Sequence, residues 1–360
     1  MDTTDPDIVF DVGGVCSHRH RYNRVAGQRL APLEGRSRKF ASLVTEIKAV
    51  GEGKPFDCVI GVSGGIDTTH VAHIVNKLGL RPFAIHLDNG WNFELTVANI
   101  QKTLEKLSID LRTHVIDWIE FRDLQLSCLK AATPDGEIPT DLAIFALLYT
   151  QAAKHGLRHD ITDTNSVTEA ILLEKWGYGY FGWIYIRNVY KRFGCLGSKS
   201  YPHFSPIGLT YCILDRKIKI PSILNLIDCN KKATMDILRN GPTRVYYRIK
   251  NYYPIYTRFY QSLYLQNKFK LDKRKEYYSN LVLWGQMTDD EALSAMQGAA
   301  HPKNLIEEDY DYVTKKPGLK PEEMEGIIAS PNKTFGGYKT NHSLSEPARR
   351  LANTIRPRIG

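Results

Sequence analysis

The stretch Val59-Ile60-Gly61-Val62-Ser63-Gly64-Gly65-Ile66-Asp67-Thr68-Thr69 holds the residue types and spacing of a phosphate site. A short apolar run, Cys58 to Val62, leads into Ser63, two glycines, an acid and two hydroxyls. A helical pattern then begins at Val71, Ala72, Ile74, Val75 and Leu78. Strand, glycine turn and helix start together point unpaired backbone N–H groups, and the positive end of a helix dipole, at one spot. Glycine lets the backbone approach phosphate oxygens without an intervening Cβ. No Gly-Lys-Ser/Thr follows at the spacing of a kinase or GTPase P-loop. The plain alternative is a tight strand-to-helix turn with no ligand.

The order Ser-Gly-Gly-x-Asp-Ser/Thr resembles the pyrophosphate loop (PP-loop) of ATP pyrophosphatases, which cleave ATP to AMP and pyrophosphate while adenylating a substrate oxygen. Thr68 stands where serine is commoner and keeps the hydroxyl. The resemblance implies ATP contacts from Ser63, Gly64, Gly65, Asp67, Thr68, Thr69 and, after the second strand, Asp88. Asp67 would also organise Mg²⁺ or the loop; its alternative role is to cap the helix start, worth about 0.5–2 kcal/mol.

The surrounding pattern supplies elements that could position such a loop. Strands are expected at Asp57–Val62, Pro82–Leu87, Leu111–Ile116 and Asp160–Asp163. Helices are expected at Ser37–Ala49, Phe93–Leu107, Phe121–Ala132 and Thr140–His155. Alternation of this kind argues for an α/β fold with a parallel sheet covered on both faces. The loop resemblance implies an adenine-nucleotide alpha-hydrolase-like (Rossmann-like) version of it. Ligands bind beyond the C-terminal strand ends of such sheets, where Ser63, Asp88 and Asn165 all fall.

Helices dominate after about Phe204. Tyr252, Tyr256, Tyr260 and Tyr264 recur every fourth residue and share a helix face, suited to packing or to stacking on a base or sugar. Met287–Met296 reads as a helix with Thr288 and Glu291 at capping-box spacing. The expected division is an N-terminal segment 1–36, polar and irregular to about residue 30; an ATP-binding α/β domain 37–203; a helical substrate or partner region 204–332; and a flexible basic tail 333–360.

The chain has 360 residues, 42% hydrophobic and 24% charged, enough for a substantial core. No apolar run is long enough to span a bilayer, and no signal-peptide pattern opens the sequence. The six cysteines (16, 58, 128, 195, 212 and 229) form no Cys-x-x-Cys pair, so a reduced, cytoplasmic protein is expected. Net charge is +9. Between Arg187 and Asn280 nineteen Lys and Arg face five Asp and Glu, so this region is basic and the remainder acidic. That suits a polyanion, a nucleotide-sugar or a nucleic acid, or simply a solvated face.

Several further segments together resemble the N-acetyl sugar amidotransferases, an ATP-dependent family of surface-polysaccharide biosynthesis. They are Met1–Ile8 with Gly14-Val15-Cys16, the loop, His86–Asn92, Val115–Trp118 with Glu120–Gln125, and Pro139-Thr140-Asp141. Asn165 with Thr168-Glu169, Thr257–Gln261, Asp272–Arg274 and Gly285–Thr288 complete the set, which spans nearly the whole chain. The resemblance implies that ATP adenylates the amide oxygen of an N-acetyl group and that ammonia displaces AMP to leave an acetamidino group. The cofactors would be ATP and Mg²⁺. The substrate would be a nucleotide-sugar or a nonulosonic acid. No glutaminase context surrounds any cysteine, and the resemblance implies separate partners: a glutaminase subunit (HisH-like) and a cyclase-like subunit (HisF-like). Trp91, Asn165, Thr168 and Arg258 are the expected substrate contacts; Asp67 and Glu169 are the expected catalytic residues. Arg258 could grip a carboxylate or diphosphate as a fork, or form a salt bridge. Glu169 could be a base, or could fix a helix start.

The chain departs from that family in three places. Members usually carry four cysteines near their start for a structural zinc; here Cys16 remains, Arg19 takes the last ligand position, and His18 and His20 are the nearby substitutes, so zinc is not expected. Asp163 stands where a glycine usually meets phosphate. Asn251–Pro254 replaces a His-Tyr-Glu-Ser-like run. A PP-loop tRNA-modifying enzyme and a non-catalytic nucleotide-binding scaffold are the alternative readings, with nucleic acid disfavoured by the lack of paired catalytic cysteines.

Overall fold

β1 (Cys58–Gly61) and β2 (Pro82–Asp88) are nearly all buried, as their continuous apolar runs require of strands covered on both faces. The computed structural model describes residues 1–3, 5, 7–29, 33–165, 169–171, 176–178, 182–227, 254–301 and 303–340. Its sheet has four parallel strands in the order β3-β2-β1-β4, with β3 at Asp110–Val115 and β4 at Asp160–Ile161. The chain runs outward from β1 through β2 to β3, then returns to place β4 on the far side of β1. The strand order therefore reverses between β1 and β4, the position at which open α/β sheets form a crevice. β3 is the polar edge strand, Asp-Leu-Arg-Thr-His-Val, a composition that discourages further pairing.

Alternation along the strands divides the core in two. Val59, Phe83, Ile85 and Leu87 face α5 (Trp118–Lys130) and α6 (Ile138–Lys154). Cys58, Ile60 and Ala84 face the side carrying α2 (Leu33–Gly51), α3 (Ile66–Lys77) and α4 (Glu94–Lys106). Asp117 caps α5 by accepting from the N–H groups of Ile119 and Glu120. The strand and helix positions follow the sequence expectation to within a few residues at each end.

Three expectations are corrected. Residues 17–29, expected to be irregular, form α1 (Ser17–Arg29); Tyr22, Val25 and Ala26 fall on one helical face and pack with Ala170, Ile171 and Trp176. The division at residue 204 is no structural break: Tyr201, Cys212, Ile218 and the later tyrosines share one core with α5 and α6, and Ser222 bridges to Thr162 beside β4. The tail expected to be flexible from 333 is packed through its described part. Tyr338 is buried and its hydroxyl donates to the Ala131 carbonyl at 2.8 Å, while Lys333 N–H donates to Ala132.

The tyrosine stripe is packing. The helix Ile255–Phe259 continues as a π-helix, Tyr260–Phe269, and Tyr256, Tyr260 and Tyr264 stack in a row with centroids 5.7 and 5.0 Å apart. Their hydroxyls engage the last turn of α5 and the α5–α6 connection: Tyr256 donates to Gly136 C=O, Gly136 N–H donates to Tyr260, and Tyr264 donates to Leu129 C=O. Aromatic bodies thus fill the core while each polar tip finds a partner. Tyr252 lies outside the described residues. The helix Asp289–Gln297 has the expected capping box between Thr288 and Glu291. No helix among the described residues is long and apolar enough to cross a membrane.

Candidate active site

The crevice between β1 and β4 holds a cavity of about 280 Å³. Ser63 and Thr68 line it from the glycine turn; His86, Asn89 and Asn92 from the segment around the end of β2; and Thr140 and Asp141 from the first turn of α6. Asp160, Thr162, Asp163 and Thr164 line it from β4 and its extension. Ile85, Leu87, Ile144, Phe145, Leu148 and Ile161 supply the apolar wall. An apolar slot with polar groups gathered at one rim is the common form of a small-molecule site.

The turn is built by its own sequence. Gly64 has φ +78°, and a Cβ there would lie 2.6 Å from Thr96 Cγ2 and 3.2 Å from Ile100 Cγ1. Left-handed backbone and close packing against α4 both demand glycine. Gly65 caps α3 without a side chain, and the hydroxyls of Thr68 and Thr69 donate back to its carbonyl at 3.0 and 2.8 Å. Ser63 Oγ lies 3.4 Å from Thr68 Oγ1, so both hydroxyls sit at the mouth of α3. His86 secures the strand end: its Nδ1 donates to Val62 C=O at 2.8 Å, and burial lowers its pKa, favouring the neutral ring with Nε2 as acceptor toward Asn92.

Acids ring the cavity. Burial, followed by the field of Asp67, pushes the Asp163 carboxyl up to about 6; burial, followed by Asp163, pushes Asp160 up to about 7. Asp141 lines the cavity, and desolvation of its carboxyl, followed by the charges of Asp135 and Glu137, raises it well above the usual carboxylate range. No Lys or Arg lines the cavity among the described residues. Bound phosphates would therefore depend on backbone N–H groups and on a cation. Asp67 lies near enough for its charge to raise the Asp163 carboxyl; no cluster of three or more His, Cys, Asp or Glu that could hold a metal ion occurs among the described residues.

These two raised values have a consequence for stability. Between about pH 4 and pH 7 the unfolded chain releases protons that folded Asp160 and Asp163 retain, so stability falls as pH rises through that window. Asp163→Asn is expected to flatten the fall and to stabilise the protein at pH 8 by about 1–3 kcal/mol. Urea unfolding at pH 4, 6 and 8 measures this; an unchanged pH slope in the variant would contradict it.

The other expected site residues lie as follows. Asp88 does not line the cavity: its Oδ1 accepts from Gly90 N–H at 2.9 Å and shapes the turn, while Asn89 faces the cavity instead. Trp91 is in the core, 2% exposed; its Nε1 donates to Gln125 Oε1 at 2.6 Å, and its ring packs on Trp118 and Tyr256. Arg258 is also buried, with Nε and Nη2 gripping Asp309 at 2.6 and 2.5 Å; His301 Nε2 lies 3.1 Å from the same carboxylate. The fork anticipated for a substrate anion is thus filled by Asp309. Asn165 is buried, and its backbone N–H donates to the exposed Glu169 carboxylate at 3.2 Å. Thr168 lies outside the described residues, as do Asn251, Tyr252 and Tyr253. Near the N-terminus, Cys16 pairs across a bridge with Phe10, and His18 and His20 engage Asp5 and Asp11, each at 2.7 Å.

His86, Asn89, Asn92, Thr140 and Asp141 were not among the expected site residues. Each lies in a segment that carried the family resemblance, so the signal was present as a motif but not as a role.

Residues 254–352 match a family described as LPS biosynthesis protein WbpG-like, C-terminal domain. No curated protein matches the chain. Among solved structures the chain is similar to NMN synthetase from Francisella tularensis at 14% identity, covering 73% of this chain and 96% of that one, with a TM-score of 0.31. It is also similar to glutamine-dependent NAD+ synthetase from Acinetobacter baumannii in complex with ADP at 14% identity, covering 85% of this chain and 48% of that one, with a TM-score of 0.36.

Proposed function

We propose that this chain is an ATP-dependent amidotransferase of lipopolysaccharide or related surface-glycan biosynthesis, converting an N-acetyl group of a sugar to an acetamidino group. The observation that carries the reading is the cavity at the strand-order reversal, with the glycine turn and the mouth of α3 at its rim. The match of residues 254–352 to an LPS-biosynthesis domain supports the pathway class.

In this reading ATP lies along the cavity with its terminal phosphoryls against Ser63, the Gly64-Gly65 backbone and Thr68. Mg²⁺, organised by Asp67, would offset the charge that builds on pyrophosphate as it departs. The amide oxygen of the substrate attacks the α-phosphorus, the bond to the β-phosphate oxygen breaks, and pyrophosphate leaves. Ammonia then adds to the activated carbon, and AMP departs carrying the former amide oxygen. Asp141, with its raised proton affinity, is suited to take the proton that the incoming amine must lose. Glu169, bonded to Asn165 N–H, serves better to hold Asn165 than to act as a base. Ammonia would come from the glutaminase and cyclase-like partners, and the substrate would be a nucleotide-sugar or nonulosonic acid handled in the cytoplasm.

The test incubates candidate diacetamido sugars with the protein, ATP, Mg²⁺ and ammonium. Release of AMP and pyrophosphate with a sugar mass decrease of about 1 Da, as NH replaces O, is the expected result. ADP release, or no sugar-dependent turnover, would count against it. Asp163 at the phosphate rim is the one observation that favours a non-catalytic nucleotide-binding subunit; nucleotide binding without pyrophosphate exchange for any sugar would support that instead.

A further inference from the structure

Lys316 stands against the turn that follows β2, reached from the far end of the chain. It closes the helix Ile306–Lys315 as its C-cap residue, within the region matched to the LPS-biosynthesis domain. Its Nζ donates to the Gly90 carbonyl, and to Tyr312 Oη at 2.9 Å. The same nitrogen lies 5.2, 5.1 and 5.0 Å from the ring centres of Trp91, Trp118 and Tyr312. Three aromatic rings attract the cation and hold it at the turn. The bond to Gly90 reaches the cavity in three steps. The Gly90–Trp91 peptide is planar and trans, so holding its carbonyl also aims its N–H. That Trp91 N–H donates to Asn89 Oδ1 at 3.2 Å. With its oxygen so engaged, the Asn89 amide turns Nδ2 to Thr140 and donates to Oγ1 at 3.1 Å. Asn89 and Thr140 both line the cavity.

We propose that Lys316 is a positioning residue of this site, setting Thr140 as a hydrogen-bond donor to an oxygen of the bound nucleotide. The inference rests on the nucleotide reading above and adds to it a route by which the C-terminal region shapes the cavity. A threonine hydroxyl holds one proton and can accept as well as donate. Among the described residues its one hydrogen bond here is the one it accepts from Asn89, so its own proton is left for a ligand. Phosphate and ribose oxygens are the acceptors a nucleotide brings. Without Lys316 the Gly90–Trp91 peptide is free to turn over, and glycine at φ +81° makes that turn easy. The Asn89 amide can then reverse and present its oxygen to Thr140. The hydroxyl would donate to Asn89 instead, and the ligand would lose its donor.

The test is a double-mutant cycle on ATP affinity, measured with Mg²⁺ by titration calorimetry on the full chain. Lys316→Met keeps the aliphatic stem among the rings and removes the donor; it should weaken ATP binding about fivefold to tenfold. Thr140→Val keeps the shape and removes the hydroxyl, and should weaken binding by a similar factor. The two together should match Thr140→Val alone within about twofold, because one acts through the other. A lysine that only stiffened the fold would give losses that multiply, to about 25-fold or more. Multiplying losses overturn the inference, as does either single variant binding like wild type, and both results leave the ATP reading standing. Lys316→Leu completes the same cycle should the methionine variant fail to fold. A wild type that binds no ATP overturns the inference and the nucleotide reading together.

Discussion

Gly64→Ala is expected to abolish nucleotide-dependent turnover and to destabilise the fold by roughly 2–4 kcal/mol. Two physical costs add. An L-residue at φ +78° carries about 1–2 kcal/mol of backbone strain. The new Cβ would also fall 2.6 Å from Thr96 Cγ2, so α3 and α4 must part or the turn must deform. Either response moves the backbone N–H groups at the mouth of α3 and spoils the phosphate cradle. Gly53 provides the control: its φ is +72°, but nothing lies within 4 Å of a Cβ there. Gly53→Ala should show the strain alone, about 1 kcal/mol, with activity intact. Adding Thr96→Ser to Gly64→Ala deletes the clashing methyl and should restore part of the lost stability. Denaturant unfolding and AMP release on the four proteins measure this; Gly64→Ala behaving like Gly53→Ala would refute the role given to the turn.

The second large effect concerns Arg258. Arg258→Ala should destabilise the protein by about 3–5 kcal/mol, because Asp309 is left as an uncompensated buried charge beside His301. Replacing both partners with apolar residues of similar volume, Arg258→Met with Asp309→Leu, should recover most of that loss. A direct substrate contact predicts the opposite pattern: a stable Arg258→Ala protein with a raised substrate KM. Chemical denaturation of the two variants separates these outcomes, and an Arg258→Ala midpoint equal to wild type would show that the pair is not structural.

The contrast between Gly64 and Arg258 indicates what a sequence can convey about such a site. The glycine turn was legible because strand, turn and helix are adjacent along the chain and local sterics dictate them. The strands and helices around it were legible for the same reason, since apolar periodicity is a local property. Arg258 and Trp91 were not legible as core residues, because their partners Asp309 and Gln125 lie 51 and 34 residues away. Asp88 looked like a ligand because it follows a strand, but its short side chain closes on Gly90 N–H two residues later, as aspartates in turns commonly do. Asp160 and Asp163 acquire their perturbed titration only once β4 is seated beside β1 under α6, an arrangement that strand order alone creates. The helix Ser17–Arg29 was missed because its apolar face is narrow, with Tyr22, Val25 and Ala26 carrying it.

The most direct test follows the amide oxygen. An N-acetyl sugar labelled with heavy oxygen at the acetyl carbonyl is incubated with the protein, ATP, Mg²⁺ and ammonium, and the nucleotide product is weighed by mass spectrometry. Adenylation of that oxygen predicts AMP heavier by the label and a sugar that has lost it. Unlabelled AMP, or label retained on the sugar after turnover, would contradict the account at its centre.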